Sequence, residues 1–187
     1  IDCVILAEPF PDTNLAVAPL YDEPFMAAVP SSHPLAARGS VSAEELRNET
    51  MLLLGTGHCF RDHVLEVCPE FARFSSSTDG IRKSFEGSSL ETIKHMVAAG
   101  MGITLVPRLS VPSQALEEGV APRKKSTRGK SVVAASPSSF IKYLPFEGHV
   151  PTRRVVLAWR RSFTRYEAIA ALRNAILESG VRGVEWL

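Results

Sequence analysis

The sequence predicts an α/β fold, because short strand-like runs alternate with amphipathic helical segments along most of its length. Five apolar runs have the length and residue types of strands, namely residues 1–6, 25–29, 51–54, 103–106 and 155–159. The composition agrees: 187 residues, 45% hydrophobic and 22% charged, suffice for one sizeable core or two small lobes. This composition excludes disordered, coiled-coil and collagen-like chains.

Helices are expected between and after these strands. Residues 42–46 open with a capping box, Ser-Ala-Glu-Glu, and predict a short helix. Residues 88–91 (Ser-Ser-Leu-Glu) repeat that pattern and predict a second helix, with apolar residues at three-to-four spacing and Gly100 as its left-handed cap. A last long helix is expected over about 162–179, closed by Gly180.

Charge and cysteine content narrow the classes of function. The chain has 21 basic and 20 acidic side chains and a net charge of +1, whereas a DNA-binding domain is normally strongly basic. No stretch approaches the roughly 18 apolar residues of a membrane span, and three cysteines are too few for a disulfide scaffold. We therefore expect a cytoplasmic protein with no membrane contact, whose DNA contacts, if any, lie elsewhere.

Residues 117–139 differ from the rest, since they are rich in Ser, Pro, Gly and basic side chains. They predict a long surface loop inserted into the fold. Its basic cluster is expected to be solvated, with a contact to DNA or to an acidic partner as the alternative.

The segment 54–68 carries the most chemistry. Two glycines follow an apolar strand, and a helical pattern begins immediately after Cys59, which places this thiol at a helix N-terminus. The free N–H groups of a helix N-terminus favour a thiolate, and the nearby His58, Arg61 and His63 add positive charge. Cys59 is therefore a candidate reactive thiol.

A second cysteine, Cys68, stands nine residues after Cys59. If the residues between them are helical, the two Cα atoms lie roughly 13 Å apart, whereas a disulfide requires about 4.4 to 6.8 Å. A short helix has little intrinsic stability. Oxidation of Cys59 to a sulfenic acid, followed by attack of Cys68, would then unwind the helix and act as a conformational switch.

Other interpretations of these residues stay open. Both cysteines could be small buried hydrophobes, as Cys3 is expected to be in its strand. Cys59, His63, His58 and Cys68 could form a four-ligand zinc site, although adjacent ligands are awkward and the spacing matches no standard zinc pattern. A cysteine nucleophile for acyl transfer would need an oxyanion loop that the sequence does not show. We expect no enzyme, no metal and no cofactor.

Two runs of residues closely resemble a known family. Residues 57–62 (Gly-His-Cys-Phe-Arg-Asp) followed by Cys68, together with residues 89–93 (Ser-Leu-Glu-Thr-Ile) running into 96–107, are similar to the OxyR-type hydrogen-peroxide sensors. These sensors are a branch of the LysR-type transcriptional regulators; the second run is a general LysR-type signature, and the cysteine pair is specific to the branch. Residues 1–6, 21–24 and 151–154 extend the similarity, and 117–139 depart from it.

The resemblance implies a type II periplasmic-binding-protein-like regulatory domain, with an effector cleft between two α/β lobes. Residues 1–21 and 152–187 would be an incomplete lobe one, and residues 22–151 lobe two. The resemblance also implies an N-terminal winged helix-turn-helix outside this chain, which would explain the neutral charge. A homodimer, or a homotetramer at full length, would change its arrangement on DNA to activate antioxidant genes.

The resemblance also implies roles for the residues around the cysteines. Cys59 would be the peroxidatic cysteine that hydrogen peroxide oxidises, and Cys68 the resolving cysteine. His58, Arg61 and Asp62 match the flanking motif, and we expect them to orient Cys59 and to link its redox state to local packing.

Three further positions are expected to lie around the cleft. Arg153, at the return into lobe one, would bring a guanidinium towards the thiolate. Ser88 and Ser89 match the LysR-type effector positions, with plain helix capping as the alternative.

Two other functions stay open. The chain could be an ordinary LysR-type effector domain that binds a small metabolite, with incidental cysteines. It could also be a solute-binding protein of the same fold, which should carry an export leader.

Overall fold

The structure, a computed structural model, describes residues 2–11, 14–56, 58–67, 84–113, 115 and 140–187. The strands in this part of the chain are β1 (Cys3–Ala7), β2 (Leu15–Pro30), β3 (Met51–Leu54), β4 (Ser84–Gly87), β5 (Thr104–Pro107), β6 (Ile141–Pro145), β7 (Thr152–Arg160) and β8 (Glu185–Trp186). The helices are α1 (Ala43–Leu46), α2 (Cys59–Val67), α3 (Leu90–Ala98) and α4 (Tyr166–Glu178), with short 3-10 helices at Pro34–Ala37 and Arg108–Ser110. The α/β class is confirmed.

The chain divides into two compact units. Unit one comprises Ile1–Phe25 and Pro151–Leu187, and unit two comprises Met26–Val150. Strand β2 contributes residues to both. The boundaries expected from the sequence, after residue 21 and before residue 152, lie within a few residues of these, while the assignment to lobes one and two stays a prediction.

Unit one is built on antiparallel strands. β7 lies between β1 and β2, and β8 adds a short pairing to β2 at Tyr21 and Asp22. Leu20, Leu157 and Ile169 form its buried core, and Ile169 brings α4 onto the sheet. The helix begins at Tyr166, later than expected, because the chain turns first, with the Phe163 N–H donating to the Arg160 carbonyl at 2.9 Å.

Strand β2 is far longer than the five residues the sequence predicted. Its added N-terminal part pairs with β7, and the pairing register shifts between Pro19 and Tyr21. A proline cannot donate to a strand ladder and is tolerated at such an irregularity. The two prolines, Pro19 and Pro24, therefore concealed a strand that tertiary pairing supports.

Unit two has parallel and antiparallel pairings. β6 pairs with the end of β2, β5 lies beside β2, and β3 pairs in parallel with β4. All residues of β3 and β5 are buried, as are Ile93 and Val97 of α3. The parallel register sets Leu53 opposite Glu86 and Leu54 opposite Gly87, which brings β4 to the end of β3 where the cysteine segment begins.

The two predicted helix starts have different outcomes. The capping box at α1 is present, with the Glu45 N–H donating to Ser42 Oγ and the Ser42 N–H donating to Glu45 Oε2. The second box, from Ser88 to Glu91, is wrong. Ser89 is the N-cap and accepts from the Thr92 N–H at 3.1 Å, since α3 begins one residue later than the pattern suggested.

Glu91, which the predicted capping box would have engaged, forms an ion pair with the buried Lys94. The Lys94 ammonium donates to Glu91 Oε1 and to the Ser110 carbonyl, both at 2.7 Å. The bond to Ser110 ties α3 to the short helix at Arg108–Ser110. Gly100 has a φ of +78° just after the helix, as its predicted left-handed cap requires.

Gly102 is required by a close backbone approach. A Cβ at this position would lie 2.4 Å from the Thr50 carbonyl oxygen, which accepts a hydrogen bond from the Ile103 N–H at 2.9 Å. Neither backbone atom can move without breaking the contact between β3 and the strand that follows Gly102.

Within the part of the chain described here, no helix is long and apolar enough to cross a membrane.

We expect Gly102→Ala to lower the free energy of unfolding by about 2 kcal/mol, because the new methyl group overpacks the Thr50 carbonyl. Gly39→Ala is the matched control, since a Cβ there meets nothing within 4 Å, and should change stability by less than about 0.5 kcal/mol. Urea unfolding followed by circular dichroism measures both. Equal midpoints for the two variants would contradict the close approach.

The neighbouring serines of α3 offer a second comparison. Ser89→Ala should lower the free energy of unfolding by about 1 kcal/mol, because it removes the side-chain acceptor that caps the helix. Ser88→Ala should change it by less than about 0.5 kcal/mol. A larger loss for Ser88→Ala in thermal unfolding would show that the cap is misplaced.

Candidate redox site

Cys59 is the first residue of α2, as the sequence predicted. The chain leaves β3 at Leu54 and turns, the His58 N–H donates to the Gly55 carbonyl at 3.4 Å, and the Arg61 N–H donates to the His58 carbonyl at 2.9 Å. The Cys59 thiol is free and its residue is exposed. A small oxidant in solution can therefore reach this thiol.

The inner face of α2 holds the helix in unit two, where it packs against β3. Phe60 and Val64 are 8% and 1% exposed, and His63 is 3% exposed. Cys59, at the first position of the helix, is exposed, whereas His63, one turn later, is buried. Burial of the two large apolar side chains, Phe60 and Val64, stabilises the packed helix by a few kcal/mol.

Arg61 ties α2 to two strands. Its Nη1 donates to the Leu54 carbonyl oxygen at 3.0 Å, at the end of β3, and to Glu86 Oε1 on β4 at 2.6 Å. A buried cation is costly unless it is paired and hydrogen-bonded, and the Arg61 side chain, 11% exposed, has both kinds of partner. The residue two positions after Cys59 is thereby anchored to the sheet.

His58 and Asp62, the other residues of the flanking motif, are exposed. Asp62 lies in the first turn of α2, where a carboxylate interacts favourably with the helix dipole. Their expected role in orienting Cys59 stays a prediction.

Cys68, Gly57 and the predicted basic loop at 117–139 lie outside the described residues. Cys3, which the sequence assigned to a core, is partly buried in unit one and packs against the cluster of Leu20, Leu157 and Ile169.

Arg153 lies in unit one, on β7. Its Nε and Nη2 donate to Oε2 of the buried Glu23 at 2.9 and 2.8 Å. Burial raises the pKa of the neighbouring Tyr21 phenol, Glu23 raises this pKa further, and Arg153 lowers it. The guanidinium is thus engaged across β2 and β7, and its expected approach to Cys59 stays a prediction.

Ser88 and Ser89 are both exposed. Ser89 Oγ caps α3 and lies 2.9 Å from Thr92 Oγ1, so its observed interactions are those of a helix cap. A role of the two serines in binding an effector stays a prediction.

A metal site has no support in the part of the chain that the structure describes, where no three His, Cys, Asp or Glu side chains come together as ligands.

The sequence missed Glu86. It stands 25 residues after Arg61, in a strand that the apolar pattern did not reveal. Only the parallel pairing of β3 with β4 brings its carboxylate to the guanidinium, so no local signal could have identified it.

Comparisons with known proteins agree with the resemblance seen in the sequence. Residues 1–125 match the LysR substrate binding domain family. The DNA-binding transcriptional dual regulator OxyR of Escherichia coli K12 is 35% identical over 173 residues, which are 91% of this chain and 48% of that protein. The hydrogen peroxide-inducible genes activator of Dickeya chrysanthemi is 34% identical over the same shares of the two chains. The chain thus spans about half the length of these curated relatives.

A solved structure is similar over the whole chain. The reduced form of OxyR from N. meningitidis has a TM-score of 0.80 and 36% sequence identity, and the match covers 100% of this chain and 76% of that one. This chain belongs to the LysR substrate-binding domain family, in its OxyR branch.

Proposed function

We propose that this chain is the peroxide-sensing regulatory domain of a transcriptional regulator, with Cys59 as the thiol that hydrogen peroxide oxidises. The observation that carries the proposal is an exposed, free Cys59 at the first position of a packed helix. A cysteine sulfur is the nucleophile in such reactions, and an exposed one is open to the oxidant. The names of the relatives, OxyR and hydrogen peroxide-inducible genes activator, support peroxide as the oxidant.

The proposed reaction has two steps. The Cys59 thiolate attacks one peroxide oxygen, an S–O bond forms as the O–O bond breaks, and the leaving hydroxide takes up a proton to become water. The Cys68 thiol then attacks the sulfenic sulfur, an S–S bond forms, and a second water leaves. The two thiols lose two electrons and two protons, and one peroxide becomes two waters.

The second step requires a change in α2. Eight helical rises separate the Cα atoms of Cys59 and Val67 by about 12 Å, and Cys68 follows Val67 at the 3.8 Å spacing of neighbouring Cα atoms. The Cα atoms of the two cysteines are thus at least about 8 Å apart while α2 is intact, wherever Cys68 lies. Since a disulfide requires about 4.4 to 6.8 Å, α2 must partly unwind.

The free-energy cost of unwinding α2 is modest, because the helix has nine residues and helices of this length depend on tertiary packing for their stability. Closing the loop of about ten residues costs roughly 2.7 kcal/mol of chain entropy, and the lost packing of the helix adds a few kcal/mol more. A redox couple offsets costs of this size, since about 30 mV corresponds to about 1.4 kcal/mol. Structural disulfides typically have reduction potentials below about −300 mV. The disulfide of a reversible sensor should have a potential above this value.

We further propose that the full-length protein acts in the cytoplasm as a homo-oligomer, a dimer or a tetramer, and contacts DNA through an N-terminal winged helix-turn-helix. The near-neutral charge of this chain, +1, supports a separate DNA-binding domain. His58, Asp62 and Arg153 would assist Cys59. The metabolite-binding alternative rests on Ser88 and Ser89, and capping accounts for the contacts of Ser89.

A stoichiometric dose of hydrogen peroxide should lower the mass of the chain by about two daltons, the two hydrogens lost when a disulfide forms, and the cross-linked peptides should join Cys59 to Cys68. Cys59→Ser and Cys68→Ser should each abolish this loss. Cys3→Ser is the matched control and should keep it, since Cys3 is partly buried in unit one. Mass spectrometry of intact and digested protein measures all four forms.

The proposal fails if the two-dalton loss persists in Cys59→Ser or maps to Cys3. Peroxide-dependent transcription by the full-length protein that survives Cys59→Ser would also contradict it.

A further inference from the structure

Glu86 is the acidic partner of Arg61, and it belongs to none of the motifs that relate the chain to its family. We infer that Glu86, acting through Arg61, holds α2 in its helical form and thereby disfavours the disulfide between Cys59 and Cys68. This inference rests on the function proposed above. Glu86 is then a positioning residue, which acts through Arg61 on the equilibrium between the reduced and the disulfide form.

The first support is the way in which Arg61 is bound. The side chain is 11% exposed and its Nη1 makes two contacts, one to the neutral Leu54 carbonyl and one to the Glu86 carboxylate. A buried guanidinium needs an opposite charge more than a further dipole. At 2.6 Å, the Glu86 carboxylate supplies that charge from a different strand.

The second support is that the same end of β4 also holds the loop that precedes Cys59. The Gly55 N–H donates to the Gly87 carbonyl at 3.1 Å, and a Cβ on Gly55 would lie 4.0 Å from Glu86 Oε2. Residues 86 and 87 thus contact the chain on both sides of Cys59: directly at Gly55, and through the guanidinium at Arg61.

The link to the redox state follows from where Arg61 stands in the chain. It lies inside the ten-residue loop that a disulfide between Cys59 and Cys68 would close, and α2 must partly unwind for that bond to form. A contact that is stronger in the reduced form than in the oxidised form shifts the equilibrium towards the reduced form by the difference. Loss of the ion pair should therefore favour the disulfide.

The size of the effect is bounded by exposure. Glu86 is 50% exposed, and ion pairs that are partly in water contribute modestly. We expect the ratio of oxidised to reduced protein at a given redox poise to rise about fivefold without the pair. At 29.6 mV for each tenfold change in a two-electron couple, this is a fall of about 20 mV in reduction potential.

The test is a redox titration of this chain in mixtures of reduced and oxidised dithiothreitol. In each exchange the protein disulfide gains two electrons and two protons and one dithiothreitol is oxidised to its cyclic disulfide. The variant is Glu86→Gln, which keeps the size of the side chain and removes its charge. The matched control is Glu66→Gln, because Glu66 is an exposed carboxylate on the same helix.

Glu86→Gln should raise the oxidised-to-reduced ratio about fivefold, and Glu66→Gln should leave it within about twofold. In an Arg61→Met background, Glu86→Gln should cause no further change, since its partner is gone. Amide hydrogen exchange of residues 59–67 in the reduced protein is a second measurement on the same variants, and it should be faster in Glu86→Gln than in Glu66→Gln. This measurement replaces the double variant if Arg61→Met does not fold.

Equal ratios for Glu86→Gln and Glu66→Gln, or a shift that persists without Arg61, would overturn the inference while leaving the proposed function intact. If the unaltered chain forms no disulfide between Cys59 and Cys68, the proposed function fails, and this inference fails with it.

Discussion

The helical path from Cys59 to Val67 is the constraint on which the chemistry of this domain depends. While it persists, the two cysteines of the OxyR-like motif cannot approach to bonding distance, because nine helical residues place their Cα atoms at least about 8 Å apart. The same helix places the Cys59 thiol at its N-terminus and leaves it exposed to solvent. In the proposed function, this one element exposes the thiol to the oxidant and keeps the two cysteines apart, so that formation of the disulfide requires a change of structure.

The contacts that stabilise α2 would set the equilibrium between the reduced and the oxidised form. Phe60 and Val64 supply apolar burial against the sheet, and Arg61 adds a polar anchor to Leu54 and Glu86. Apolar contacts of this kind are non-directional and tolerate small movements. The hydrogen bonds of the Arg61 guanidinium depend on distance and angle, and a short displacement of α2 breaks them. Two costs oppose the proposed disulfide, the entropy lost on closing the loop and the lost packing of the nine-residue helix, and both are a few kcal/mol. A contact that adds to them, such as that of the half-exposed Glu86 carboxylate, would shift the equilibrium towards the reduced form.

Local signals predicted the parts of the fold that depend on local chemistry. The capping box at Ser42, the helix that begins at Cys59 and the left-handed Gly100 all follow from neighbouring residues. Parts that depend on tertiary pairing escaped: the N-terminal part of β2 is interrupted by prolines, and β4 contributes Glu86 through a parallel partner. The second capping box failed by one residue, since Ser88 and Ser89 are equally good caps in sequence and only the position of α3 on the sheet selects Ser89.

The central claim is that α2 cannot survive the bond between Cys59 and Cys68. Amide hydrogen exchange of this chain, compared before and after a stoichiometric dose of hydrogen peroxide, tests it directly. Amides late in α2 should be protected in the reduced protein and should lose that protection on oxidation, while those of β5 and β7 stay protected. Equal protection of α2 in the reduced protein and in a protein shown to carry the disulfide would contradict the account.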